Sequence, residues 1–364
     1  MQVNDQREGA NGDVSMLEVA IFGDLFVRSG LLEERLRRHV GPLVGGLSVK
    51  SIELGYPVEP TRHTSEIREF VGQPDDVLAI AATSEIILSH MPPLTAAVLD
   101  RLPRLRAIAC TRTEPVNINM RAASARGIPV FYAPGRNARA VAEFTVGLII
   151  TETRNIGRGH QALAQGVWRT DLYLYEAAPR ELYGQTVGLI GFGHIGSLLP
   201  GLLKPFGLRV LAYDPYVADE VFAANGAERV RDLDVLLAES DIVSLHARVT
   251  PETTGFIGEP QFRRMKRGAY FINTARGPMV DYDALLVALV DGHLAGAGLE
   301  TFAQEPPASD WPLLKLPNVT LTPHIAGCSR ESVLLAADMV CADLARWYSG
   351  QTPLHCANPE ALER

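Results

Sequence analysis

Arg276, Glu305 and His324 each follow an apolar run in the last third of the chain. They stand in Ile272-Asn273-Thr274-Ala275-Arg276-Gly277-Pro278, Glu300…Gln304-Glu305-Pro306 and Leu321-Thr322-Pro323-His324-Ile325-Ala326-Gly327. Taken singly, each has an ordinary explanation: a loop arginine or carboxylate is commonly solvated, and a lone histidine is more often structural than catalytic. Together they supply what hydride chemistry on a 2-hydroxy acid needs beside the hydride carrier. A guanidinium can pair bidentately with the substrate carboxylate, an imidazole can carry the hydroxyl proton, and a carboxylate can orient the imidazole. In open α/β sheets ligands bind beyond the carboxyl ends of the strands, where the apolar runs place all three.

The element that would position the carrier is Thr186–Asp214, TVGLIGFGHIGSLLPGLLKPFGLRVLAYD. An apolar run, Thr186–Ile190, reads as a buried strand and meets Gly191-Phe192-Gly193-His194-Ile195-Gly196, which fits G-x-G-x-x-G. Apolar residues at 195, 198, 199, 202, 203 and 206 then keep helical spacing. A second apolar run ends on Asp214, near the spacing of about 20 residues expected for an acid on the ribose hydroxyls. Strand, glycine turn, helix, strand and acid form a dinucleotide-binding βαβ pattern. Gly191 permits the tight turn, Gly193 lets a pyrophosphate approach the backbone, and Gly196 permits close helix–strand packing. Asp214 followed by Pro215 disfavours a 2′-phosphate, so NAD is expected rather than NADP. Pro200 inside the helical pattern predicts a kink or a distorted first turn.

At 364 residues, 47% hydrophobic and 21% charged, the chain has the composition of an ordinary soluble protein of two domains. Net charge −8 argues against a nucleic-acid or anionic-membrane surface. No apolar run reaches membrane-span length. The opening segment lacks a secretory h-region and reads as a disordered extension over 1–15. The scattered Cys110, Cys328, Cys341 and Cys356 form no C-x-x-C, so neither a metal site nor a disulfide framework is expected, and a reduced cytoplasm suits them. Before 134, strands at Glu18–Phe22, 48–54, 85–88, 105–110 and 129–132 alternate with helices; beyond 214 the alternation resumes, with strands at 242–245, 270–273, 295–299 and 319–321. A long helical pattern runs from about Ala138 to Ala164, Thr250-Pro251-Glu252-Thr253 fits a helix start, and a last helix covers 329–349. The expectation is an α/β protein of two Rossmann-like or flavodoxin-like parallel-sheet domains with a cleft between them. A discontinuous substrate domain would take 16–134 with 329–364, and an NAD-binding Rossmann domain 135–328.

The ordered motifs GRNARAVAE (135–143), VGLIGFGHIG (187–196), YDP (213–215), SDIVSLHARVTPET (240–253), NTARGPMVD (273–281), GAGLETFAQEPP (296–307) and PHIAG (323–327) resemble the D-2-hydroxyacid dehydrogenase family over about 85–350. The resemblance implies NAD-dependent interconversion of a small D-2-hydroxy acid and its 2-keto acid. It implies Arg276 as the substrate-binding arginine, Glu305 as the acid partnered with the catalytic histidine, and His324 as that histidine. Cofactor contacts would come from Gly191, Gly193, His194, Ile195, Gly196, Asp214, His246, Thr250, Thr274, Ala275, Arg276, Glu300, His324 and Gly327. Thr111, Arg112 and Thr113 fall on the loop whose amides receive the substrate carboxylate. A homodimer through the 138–182 region, around Trp168, is also implied.

Two departures stand out. Glu300 occupies a position where the family commonly has Asp, and the 110–115 loop CTRTEP adds Arg112 and Glu114 where glycines are common. Arg112 would contact a longer or more anionic substrate, or be solvated. The same motifs fit a 3-phosphoglycerate dehydrogenase, though the chain leaves no room for the regulatory domain many of those carry, and they fit an NAD(H)-sensing corepressor on this scaffold.

Overall fold

The computed structural model describes residues 16–363, so the extension expected over 1–15 lies outside the described residues. Two compact units form: residues up to Arg136 with those from Ser329 onward, and Asn137–Cys328. Each is built on one parallel sheet.

The first unit holds β1 (Leu17–Asp24), β2 (Leu47–Leu54), β3 (Ile86–Ser89), β4 (Ala107–Cys110) and β5 (Val130–Phe131), in spatial order β2-β1-β3-β4-β5. All residues of β3 and β4 are buried, as strands covered on both faces require. One face packs Ile21, Leu88 and Ala109 against helices Ser29–His39 and Arg330–Tyr348; the other packs Ala20, Ile87 and Ile108 beneath helices Pro74–Ala81, Ala96–Asp100 and Met120–Ala125. The last helix therefore returns to the unit that begins the chain.

The second unit holds β6 (Thr186–Ile190), β7 (Arg209–Tyr213), β8 (Glu228–Arg229), β9 (Ile242–Leu245), β10 (Ala269–Asn273), β11 (Leu294–Leu299) and β12 (Val319–Leu321), ordered β12-β11-β10-β9-β6-β7-β8. β6 and β9 are buried throughout, whereas β12, at the sheet edge, is only half-buried.

Two elements differ from the sequence expectation, and a third follows it. The 138–164 pattern splits into helices Ala138–Thr153 and Ile156–Ala164, because Asn155 adopts a left-handed conformation (φ 57°) that asparagine tolerates. Apolar periodicity runs across the break and hides it. No helix starts at Thr250. There Thr253 Oγ1 accepts from Thr250 N (2.7 Å) and donates to Arg248 O (2.7 Å), and Gly255 at φ 68° turns the chain away; the next helix is Glu259–Arg264. The polar side chains that suggested a cap close a turn instead. The helix after the glycine turn is regular only over Leu199–Leu203, with Pro200 in its first turn. Pro200 has no N–H for the Gly196 carbonyl, which accepts from Leu199 N (3.3 Å); the distorted first turn is what the proline dictates.

Among the described residues no helix is long and apolar enough to cross a membrane.

Candidate active site

In the second unit, β10, β11 and β12 lie side by side, and the loops past their carboxyl ends carry Thr274–Arg276, Glu300–Glu305 and Thr322–Gly327. Parallel pairing in register (Asn273 opposite Leu299, Leu299 opposite Leu321) brings residues far apart in sequence to one edge of the sheet.

His324 Nδ1 lies 2.7 Å from Glu305 Oε2. The other Glu305 oxygen accepts from the Phe302 backbone N–H at 3.0 Å, which fixes the carboxylate plane. Burial pushes the Glu305 carboxyl up, but the hydrogen bond and charge of His324, the Phe302 N–H and the nearby Arg276 guanidinium outweigh it and hold Glu305 below the ordinary carboxylate range. An ionised Glu305 accepts from Nδ1–H, and no hydrogen bond to the His324 Nε2 is seen among the described residues. His324 has φ 53°, left-handed for a side-chain-bearing residue and a local strain. Arg276 is exposed, and its Nη1 donates to the Ala275 carbonyl (2.8 Å).

Glu300 is almost fully buried and surrounds the histidine turn with bonds. Its backbone carbonyl accepts from His324 N (3.1 Å), one carboxylate oxygen accepts from Ala326 N, and the other from the Thr322 hydroxyl. Asn273 braces the next loop: its Oδ1 accepts from Ala275 N (3.0 Å) and its Nδ2 donates to Tyr282 Oη (3.3 Å), which in turn donates to Thr301 O (2.6 Å). Thr322, Asn273 and Tyr282 were not singled out from the sequence. Only contacts across strands reveal them, although Asn273 lies inside a motif already read.

The glycine turn sits past β6. Gly191 has φ 96°, and a Cβ there would lie 2.6 Å from Ala247 N. A Cβ on Gly196 would meet Gly191 O at 2.3 Å, while one on Gly193 would meet nothing within 4 Å. The outer glycines are thus required by packing, and the middle one leaves open space above the backbone. Asp214, past β7, accepts from Phe192 N (2.9 Å) through Oδ2 and from Tyr216 N (2.9 Å) through Oδ1. His246, past β9, is buried; desolvation lowers its pKa to about 3, so it is neutral in the working range. Its Nε2 lies 2.8 Å from Ser244 Oγ, and its Nδ1 is buried without a partner. Thr274 is buried with its hydroxyl 2.9 Å from that of Thr145. His194 and Thr250 are exposed, Ile195 is half-buried, and a Cβ on Gly327 would strike the Asn137 side chain at 2.6 Å.

Thr111, Arg112 and Thr113 belong to the first unit. Both the N–H and the hydroxyl of Thr111 are given to Ser89 O (2.9 and 3.1 Å). The Arg112 guanidinium is turned onto Glu69, Met91 Sδ and the Glu114 carbonyl, not left solvated.

The chain is similar to known proteins. Residues 146–326 match the family described as D-isomer specific 2-hydroxyacid dehydrogenase, NAD binding domain. A glyoxylate reductase of Korarchaeum cryptofilum is 39% identical over 271 residues, covering 74% of this chain and 81% of that protein. The chain belongs to the D-isomer specific 2-hydroxyacid dehydrogenase family. A D-3-phosphoglycerate dehydrogenase of Archaeoglobus fulgidus is 34% identical over 298 residues, but the match spans only 56% of its length. The NAD-complexed D-isomer specific 2-hydroxyacid dehydrogenase of Lactobacillus delbrueckii superposes with a TM-score of 0.74 at 27% identity, over 94% of this chain and 100% of that one. This dehydrogenase is therefore NAD-dependent, and its residues fit the cofactor: an open face at Gly193, a carboxylate fixed at the end of β7, and an orphaned polar atom on His246 past β9.

Proposed function

We propose that this dehydrogenase interconverts a small D-2-hydroxy acid and its 2-keto acid, with His324 as the acid/base, Glu305 as its partner and Arg276 holding the substrate carboxylate. The observation that carries the reading is the His324–Glu305 pair at 2.7 Å, on turns that strand pairing sets beside the Arg276 loop. NAD, when bound, would supply the acceptor for the hydride from C2 of the hydroxy acid, and NADH the donor for the reverse reaction. Gly191, Gly193, His194, Ile195, Gly196, Asp214, His246, Thr250, Thr274 and Ala275 are assigned to holding it.

In oxidation, Nε2 of neutral His324 takes the hydroxyl proton; in reduction, the imidazolium returns a proton to the carbonyl oxygen. Glu305 accepts from Nδ1–H throughout, fixing the tautomer and compensating the charge as it forms. Arg276 forms a fork with the carboxylate and orients C2. Glu300 acts through the histidine turn it braces rather than on the substrate. The first unit is assigned to substrate recognition and Asn137–Cys328 to the cofactor. Leu163, Val167, Trp168, Tyr173 and Tyr175 are all exposed, and this run of apolar side chains suits a second copy of the chain; sedimentation of the wild type and W168E tests this, a dimer lost in the variant being expected.

NADH oxidation over a panel of glyoxylate, hydroxypyruvate, phosphohydroxypyruvate and longer 2-keto acids tests the activity. The account expects turnover with a small keto acid, glyoxylate first because the glyoxylate reductase relative aligns over most of its length. No turnover with any of them would reject it. Preference for phosphohydroxypyruvate would favour the phosphoglycerate dehydrogenase reading, which the Archaeoglobus fulgidus relative supports.

A further inference from the structure

We propose that Asp219 is a second determinant of NAD over NADP, because it occupies the two arginines that would otherwise offer a phosphate site beside Asp214. The inference rests on the assignment of Asp214 to the ribose.

A cavity past the end of β7 is lined by Tyr213, Asp214, Pro215, Arg229, Val230 and Arg231. Asp214 is fixed there by the Phe192 and Tyr216 amides. The arginines come from β8 and the residues after it, and β8 pairs in parallel with β7, so sheet geometry alone sets two cations beside the ribose acid. Neither is left unpaired. Arg229 Nη1 forms an ion pair with Asp219 Oδ1, and Arg231 Nη2 donates to Asp219 Oδ2, so one carboxylate bridges both. The Arg229 guanidinium also lies 4.9 Å from the Phe222 ring centroid and donates to Asp214 O at 3.4 Å.

Arginine forks are the preferred partners of phosphate. With Asp219 in place, two carboxylates balance two guanidiniums around the cavity, and a 2′-phosphate would meet the repulsion of Asp214 without a free cation to offset it. Without the Asp219 carboxylate, Arg229 and Arg231 face the cavity unneutralised. Arg231, with a side chain 71% exposed, can swing toward a bound phosphate.

The test is equilibrium binding of NADH and NADPH, by fluorescence or calorimetry, to the wild type, D219A, D219N, D219A/R231A and D214A. D219A and D219N should raise the ratio of NADPH to NADH affinity at least tenfold, and D219A/R231A should reverse most of the gain. Calorimetry with 2′,5′-ADP against 5′-AMP should show the same ordering. Folded D219A and D219N with the wild-type ratio would overturn the proposal. D214A separates the two claims. Weakened NADH binding in D214A with no gain in D219A overturns the Asp219 role alone. Unchanged NADH binding in D214A overturns the ribose assignment, and the proposal with it.

Discussion

His324 and His90 are each hydrogen-bonded through Nδ1 to a carboxylate, at 2.7 Å to Glu305 and 2.5 Å to Asp24. Both stand just past the carboxyl end of a parallel strand, β12 in one unit and β3 in the other. Their surroundings are opposite. The side chains of His324 and Glu305 are 40% and 37% exposed; those of His90 and Asp24 are 4% and 0% exposed. The reason is sheet position: β12 is an edge strand, while β3 is central. Asp24 also accepts from the Phe26 and Val27 amides, and the His90 ring packs edge-on against Tyr56. Burial lowers the His90 pKa despite the hydrogen bond and charge of Asp24. A histidine–carboxylate pair is thus not a catalytic signature by itself. At the sheet edge the pair is open to solvent; at the sheet centre it is shut away from it.

The contrast can be broken from either side. D24A should strip the Phe26 and Val27 amides and His90 of their acceptor and cost about 3–5 kcal/mol, read by denaturant unfolding, while turnover per folded molecule stays within a few-fold. A comparable loss of chemistry would make the buried pair functional. E305Q should do the reverse: turnover falling about 100-fold, or about 2.7 kcal/mol, with stability and NADH affinity nearly unchanged.

Acid sharpens the same division. His246 has a folded pKa of about 3 against 6.5 for an ordinary histidine. As pH falls from 6.5 toward 3 the unfolded chain takes up a proton that the fold refuses, so stability declines with acid, by about 2 kcal/mol at pH 5 from this residue. His90, also shifted down, adds in the same direction. H246Q should flatten unfolding free energy against pH over that window; an unchanged slope would contradict the burial argument. The smallest effect is expected from E300D, which cannot reach Ala326 N and the Thr322 hydroxyl together. It should lower turnover about tenfold (~1.4 kcal/mol) and leave NADH affinity intact, whereas a direct nicotinamide contact would instead weaken NADH binding.

Much of this was legible in the sequence because it is local or ordered. The 186–214 unit carries its strand, turn, helix and acid in one stretch, and even the defect at Pro200 follows from a missing N–H. The strand-end positions of Arg276, Glu305 and His324 follow from apolar runs of strand length. What could not be read depends on contacts distant in sequence or on one dihedral angle. Asp24 and His90 meet only because β1 pairs with β3. The bonds from Thr322 and Ala326 to the Glu300 carboxylate arise only because β11 pairs with β12. Asn155 breaks a helix whose apolar period continues, and the Thr250 turn uses the same side chains that cap a helix.

The central claim is that the exposed histidine, and not the buried one, carries the proton. Single-turnover oxidation of pre-bound NADH by a saturating 2-keto acid, compared between H324A and H90N after NADH binding is verified in both, tests it most directly. The account predicts that H324A loses about three orders of magnitude in rate while H90N stays within tenfold of wild type. Near wild-type hydride transfer in H324A, or an equal loss in both variants, would contradict it.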